Sequence, residues 1–335
     1  MNAMKSESMF SRNELRELMV RFASHMRTNE SFRLISDTTN FFKVDYGDVV
    51  LLEGIPYLIS GCEREGRFGL EDEPKYWVRR AIDLTCGAMK VVKFVFREEF
   101  ETQIGEVFIR RFRSPRKEAH ILDLVRSQPN FMQGRGVFDS AGNLVRILEF
   151  IRGPRYDEIV PDWGNDHLDY FNRFLPGVLE QFIELVLAIK FLHDNGEKHG
   201  DIRRDHIIRD EEHGFNRWID FDYDYQHGES VFSLDLQGLG NILVFLVGRG
   251  DVLLPDLKHD SPDIFSRLTR EDINILFRNR VANLGKVFPY LPESLNRTLR
   301  HFSAGAPIFY DSTDQLLEDL AESLAEVTAL TGGLS

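Results

Sequence analysis

The feature that most constrains this chain is a change of hydrophobic period near residues 152–156. Before that point, short β-branched and aromatic runs stand at 49–52, 56–60, 76–84, 89–96 and 144–151, punctuated by Gly, Asp and Pro. Such runs predict strands. Thr85-Cys86-Gly87 predicts a hairpin turn between the third and fourth of them. After that point the spacing is helical. Val178, Leu179, Phe182, Ile183, Val186 and Ile189 share one face and stop at Asn195-Gly196. Further helices are predicted near 235–247, 270–284, 293–302 and 312–330, the last opened by Ser312 and Gln315 as a capping box. Two earlier helices are predicted, one over 11–28 with Ser11 and Glu14 as its capping box, one over 115–127. A short strand pair, Ile207-Ile208 with Trp218-Ile219, interrupts the helical part. The class is therefore α+β, a β-rich part followed by an α-rich part. The boundaries expected are 1–50 for an N-terminal extension, 51–153 for the β-rich part and 154–335 for the helical part.

Composition narrows the function. The 335 residues hold 41 basic and 54 acidic side chains, a net charge of −13, which lacks the basic footprint of a nucleic-acid binder. With 42% hydrophobic residues and 27 Phe there is ample material for a core. Cys62 and Cys86 alone make neither a disulfide framework nor a zinc site, so a reducing, cytoplasmic setting is expected. The first twenty residues carry charges and no apolar core, so no secretory leader is expected. No apolar run is long enough to span a membrane.

The segment richest in chemistry is His199-Gly200-Asp201-Ile202-Arg203-Arg204-Asp205-His206, followed by Asp220 in Trp218-Ile219-Asp220-Phe221-Asp222. Two acids on neighbouring loops suit phosphoryl transfer: one orients or accepts the proton of an attacking hydroxyl, the other holds magnesium. The plainer alternative is a pair of turn or cap aspartates.

The neighbouring segments resemble the protein-kinase-like superfamily. His199-Gly200-Asp201 is similar to its catalytic loop, and Asp220-Phe221-Asp222 approximates its Asp-Phe-Gly signature. Residues 77–93 resemble the second and third kinase strands and place Lys93 at the phosphate-binding lysine. Lys117-Glu118-Ala119-His120 resembles the C-helix, with Glu118 as the partner of Lys93. Leu148-Glu149-Phe150-Ile151 resembles the hinge. Asp235 to Leu243 resembles the F-helix start, and 309–320 the last kinase helix. The matches are collinear from about 55 to 325. The resemblance implies a bilobal kinase-like fold, a β-rich N-lobe and helical C-lobe with an added N-terminal segment. It implies ATP and Mg2+ as cofactors, with Lys93, Val78, Val91 and the backbone of Glu149 and Ile151 binding nucleotide. Asp201 becomes the catalytic residue that orients or deprotonates the hydroxyl, and Asp220 and His206 the metal ligands. Glu98, Glu99, Glu101 and Glu106 lie nearer Lys93 in sequence and compete with Glu118 for it.

The departures are physical. The three glycine-loop positions hold Glu71, Glu73 and Tyr76, and acidic side chains there repel a triphosphate; Gly61, Gly66 and Gly69 are the nearest glycines. His206 replaces the metal-binding Asn, though magnesium prefers hard oxygen. Asp205, Asp222 and Asp224 are nearby sources of oxygen, or simply a solvated acidic loop. Gly200 replaces the Arg that answers activation-loop phosphorylation, and only 15 positions separate Asp220 from Asp235. Phosphorylation at Tyr223, Tyr225, Ser230 or Ser233 is therefore not expected to be needed for activity. An atypical serine/threonine protein kinase is the leading expectation. A pseudokinase scaffold and a small-molecule or lipid kinase are the alternatives, the last favoured by the His-Gly-Asp loop. The partner expected is a protein or small-molecule hydroxyl substrate.

Overall fold

In the computed structural model, residues 10–26, 31–65, 73–104, 107–226 and 231–332 are described. In chain order the first half forms α1 (Arg12–Phe22), β1 (Leu34–Ile35), β2 (Val49–Leu52), β3 (Ile55–Glu65), β4 (Glu73–Asp83), β5 (Met89–Lys93), β6 (Glu99–Ile104), β7 (Val107–Arg113), α2 (Pro115–Leu124), β8 (Gly134–Phe138) and β9 (Leu144–Glu149). The second half forms α3 (Tyr156–Ile159), α4 (His167–Arg173), α5 (Leu175–Asp194), β10 (Ile207–Arg209), β11 (Asn216–Trp218), β12 (Tyr223–Gln226), α6 (Ser233–Val247), α7 (Leu254–Asp260), α8 (Pro262–Phe265), α9 (Glu293–Arg300) and α10 (Thr313–Thr331). The chain divides into two compact units. One comprises Met1–Glu98, Arg113–Ser127 and Met132–Ile151; the other comprises Glu99–Phe112, Gln128–Phe131 and Arg152–Ser335.

The first unit is a seven-stranded sheet in the order β1-β2-β3-β4-β5-β9-β8. Its strands alternate between two buried faces, as a period of two requires. Val49, Leu58 and Ile82 face α1, packing with Leu15, Met19, Ala23 and Met26. Val50, Ile59 and Ala81 face the other way, with Phe94, Val145 and Ile147. The N-terminal segment is thus part of the unit's core: β1 and β2 are strands of the sheet, and α1 covers one face. Ser11 and Glu14 form the expected capping box, but the helix ends at Phe22, where Ala23 leaves helical geometry. The β4–β5 hairpin turns at Thr85-Cys86-Gly87, with Gly87 at φ +80 and Asp83 accepting from the Thr85 N–H.

The second unit is helical, with the β10–β11 pair and a three-stranded sheet in the order β12-β7-β6. α5 runs 20 residues and buries Val178, Leu179, Phe182, Val186 and Ile189. It stops where Gly196 adopts φ +76 and the Glu197 N–H returns to the Leu192 carbonyl. Two expectations need correction. Residues 270–284 hold no α-helix; a 3-10 turn lies at Arg270–Asp272 and another begins at Leu284. The Asn274 carboxamide accepts from the Leu276 and Phe277 N–H groups, a local bond that competes with helix. At α10 Ser312 caps Gln315 as expected, but the Gln315 side chain accepts from the Asp311 N–H, so the reciprocal box is absent.

Candidate active site

Register builds the first cluster of candidate residues. Lys93 lies opposite Val78 on β4 and opposite Arg146 on β9. Directly opposed residues share a face, so Val78, Lys93 and Arg146 form one row across three strands. Val91, two residues along β5, is on the same face. Glu118 on α2 meets this row. Its Oε1 is 2.7 Å from Lys93 Nζ and its Oε2 is 2.8 Å from Arg146 Nε. Lys93 and Glu118 are 1% and 0% exposed, so the pair is shielded from bulk solvent. Arg146 also donates to the carbonyls of Phe94 and Leu144, at 3.2 and 3.0 Å. Two buried cations on facing strands repel each other unless an anion stands between them, and Glu118 is that anion. Arg146 was not singled out from sequence. The signal was present: an arginine inside the apolar run Leu144-Val145-Arg146-Ile147-Leu148 needs a buried partner.

Two of the competing acids pair elsewhere. Glu98 binds Arg113 at 2.8 Å, and Glu99 binds Arg110. Glu101 lies opposite Arg110 on β7. Glu106 lies outside the described residues. At the expected hinge, Glu149 closes β9, its N–H donating to the Gln133 carbonyl at 2.8 Å, and Ile151 ends the unit half-buried. Of the glycine-loop positions, Glu73 and Tyr76 lie on β4 and Gly61 on β3. Glu71, Gly66 and Gly69 lie outside the described residues.

The second cluster is organised by Asp235, fully buried in the first turn of α6. Its carboxylate accepts the His199 N–H at 2.7 Å, the Gly200 N–H at 2.9 Å and faces His193 Nε2 at 3.2 Å. Burial would raise its pKa; the His193 hydrogen bond and the charges of His193 and His199 outweigh that and hold it below the ordinary range. Gly200 turns the loop at φ +85, a conformation open to glycine at no steric cost. Gly238 on α6 admits the loop closely, since a Cβ there would stand 2.7 Å from Ile202 Cβ. His199 is buried against Trp218, ring centroids 5.2 Å apart, a packing role.

The loop held this way presents Asp201, with 8% of its side chain exposed. Arg111 Nη2 donates to Asp201 Oδ1 at 2.6 Å and to the Gly200 carbonyl at 2.8 Å. His206 Nδ1 stands 2.8 Å from the Asp201 carbonyl and 3.5 Å from its Oδ2. Burial pushes the Asp201 pKa up, but the charges of His206, Arg111 and Arg203 prevail and hold it below the usual carboxylate range. Asp220 follows β11 with φ +60, an uncommon backbone for a non-glycine that costs on the order of 1 kcal/mol and is found at functional sites. Its Oδ2 is 3.8 Å from His206 Nε2. Asp222 is buried, and Asp205 is paired with Arg203. Lys198 holds Asp224 at 2.9 Å. Tyr223 and Tyr225 are buried, Ser233 opens α6, and Ser230 lies outside the described residues.

Among the described residues no group of three or more His, Cys, Asp or Glu side chains forms a metal cage. Magnesium asks for less than that, one or two carboxylates with phosphate oxygens and water completing its shell. The Asp220 carboxylate fits such a role. The His206 imidazole does not suit a hard cation, and its Nδ1 is engaged by the Asp201 carbonyl.

Sequence reasoning also missed Arg111 and the β6–β7 hairpin that carries it. Phe100, Thr102 and Ile104, then Val107, Ile109 and Arg111, alternate on either side of Gly105-Glu106, which is a hairpin signal.

The order of elements decides the architecture: a sheet whose strand β5 carries a lysine paired to the next helix, a long helix, a His-Gly-Asp loop, a strand pair followed by Asp220, and a helix whose first-turn aspartate holds the loop. The fold is protein-kinase-like. No family model matches the chain, and no curated protein matches it. Solved structures similar to it include the PknI kinase domain of Mycobacterium tuberculosis, 13% identical over 84% of this chain and 99% of that one, TM-score 0.47. The Cydia pomonella granulovirus kinase PK-1 is 14% identical over 78% and 93%, TM-score 0.48. A cysteine-to-alanine mutant of the PknI kinase domain is 14% identical over 84% and 98%, TM-score 0.49.

Proposed function

We propose that the chain transfers the γ-phosphoryl group of ATP to a hydroxyl, as an atypical serine/threonine protein kinase acting in the cytoplasm. The observation that carries the reading is the buried Lys93–Glu118 pair, a strand lysine fixed by a helix carboxylate 25 residues away. A cation with so little freedom is suited to hold the α- and β-phosphates, because its ordering cost is already met in the fold. Val78 and Val91, on the lysine's face of the sheet, would pack on the nucleotide, with the backbone of Glu149 and Ile151 meeting the base. Asp201 would orient the acceptor. As the acceptor oxygen bonds to the γ-phosphorus, the bond from that phosphorus to the β,γ-bridging oxygen breaks and ADP departs with the electron pair. The hydroxyl proton passes to Asp201. Magnesium, when bound, neutralises phosphate charge, and Asp220 would hold it. His206 would steady Asp201 through its carbonyl.

A pseudokinase is the second reading, favoured by His206 in the place of a metal-binding amide and by Arg111 on the carboxylate of Asp201. Label transfer from γ-labelled ATP to casein, with magnesium, separates the two. Transfer that falls at least about a hundredfold in Asp201→Asn supports the kinase. Transfer indifferent to that change would remove Asp201 from the chemistry.

A further inference from the structure

Arg111 reaches the Asp201 loop from β7, whose neighbour β12 begins three residues after Asp220. Its guanidinium lies over the rings of Phe100 and Tyr223, 5.5 and 5.1 Å from their centroids, and those rings meet edge to face at 5.7 Å. Phe100 is on β6 and Tyr223 on β12, so all three strands of the small sheet contribute to the clamp. The guanidinium thus packs against two aromatic rings, reaches Asp201 Oδ1 and the Gly200 carbonyl, and leaves the carboxylate almost without solvent. The other oxygen of Asp201 faces His206. A group that takes a proton must come within hydrogen-bond reach of the acceptor hydroxyl. Here cationic or imidazole nitrogens stand at both carboxylate oxygens.

We propose that the β6–β7 hairpin is a built-in stopper of the site: Arg111 occupies Asp201 in the acceptor's place, and phosphoryl transfer requires the hairpin to withdraw. This rests on the reading of Asp201 as the group that receives the hydroxyl proton. The contact is well made for such a switch. A charge-assisted bond flanked by aromatic rings is strong while closed. A hairpin that exposes side chains such as Phe100 and Phe108 opens at lower cost than a core does. The contact also explains how an intact set of Lys93, Asp201 and Asp220 coexists with an occupied carboxylate. The stopper adds a restraint to that set and removes nothing from it.

The test uses the full chain in four forms: wild type, Arg111→Met, Arg111→Lys and Phe100→Ala. Transfer from γ-labelled ATP to casein is measured, together with amide exchange over 107–112 and 223–226. Arg111→Met is expected to raise transfer about tenfold or more, with Phe100→Ala moving it the same way and Arg111→Lys raising it less. Amide exchange in those two segments should quicken in Arg111→Met while the rest of the chain keeps its protection. The gain should vanish in Arg111→Met combined with Asp201→Asn. Wild-type transfer that depends on Asp201 but is unchanged or lowered by both Arg111→Met and Phe100→Ala overturns the stopper and leaves the kinase reading standing. Absence of transfer in wild type and in every variant overturns both.

Discussion

At the residue scale, the candidate site is governed by how its buried charges are shared. Glu118 serves two buried cations, and its loss would remove the carboxylate that Lys93 and Arg146 share. Breaking a buried ion pair by removing one partner costs about 3–5 kcal/mol, whereas removing one cation of a triad leaves a balanced pair. Glu118→Gln should therefore destabilise the protein by about 3–5 kcal/mol, and Arg146→Met by less, near the 1–3 kcal/mol of its lost carbonyl partners. Urea unfolding of both variants checks the order; an Arg146→Met cost equal to that of Glu118→Gln would mean the triad is not held as described. Asp235 gives a pH signature. Its folded pKa is depressed, so its contribution is fully present above the unfolded value of about 4 and is lost as pH falls toward the folded one. Asp235→Asn should be less stable than wild type at pH 7, with the gap narrowing as pH drops below about 4. Calorimetric melts across that range decide it, and a constant gap would contradict the assignment.

At the element scale, α1 belongs to the sheet's core. Leu15 and Met19 are buried against Val49, Leu58 and Ile82. Leu15→Ala and Met19→Ala should each cost about 2–5 kcal/mol by chemical denaturation, the range for large-to-small changes in a core. Costs under about 0.5 kcal/mol, typical of a surface site, would show that α1 is an appendage. Most elements were legible in the sequence because their signals are local: the capping box of Ser11 and Glu14, the turn at Gly87, the stop at Gly196, the apolar run of Val49 to Leu52. The stretch 270–284 departs from the expected helix, although its apolar spacing is helical, because the Asn274 side chain accepts from the Leu276 and Phe277 N–H groups. The β6–β7 hairpin went unread because its alternating residues are diluted by charge. Its place is fixed by pairing with β12, more than a hundred residues away.

At the scale of the whole molecule, the collinear series of kinase-like segments made the architecture legible. Lys93 could be paired with Glu118 through the resemblance of Lys117-Glu118-Ala119-His120 to the C-helix, although Glu98, Glu99, Glu101 and Glu106 lie nearer in sequence. Arg146 and Arg111 escaped because their partners are settled by register and by long-range packing, neither of which a single sequence displays. The proposed function requires that the unit carrying Lys93 hold ATP. A ligand that binds only the folded chain raises its melting temperature by mass action, by about 2.7 kcal/mol at a hundred times its dissociation constant. The direct measurement is the thermal transition of the full chain titrated with ATP, with and without magnesium, beside Lys93→Met. The expected result is a rise that grows with ATP, is larger with magnesium and disappears in Lys93→Met. A flat response in the wild-type protein with magnesium present would contradict the claim.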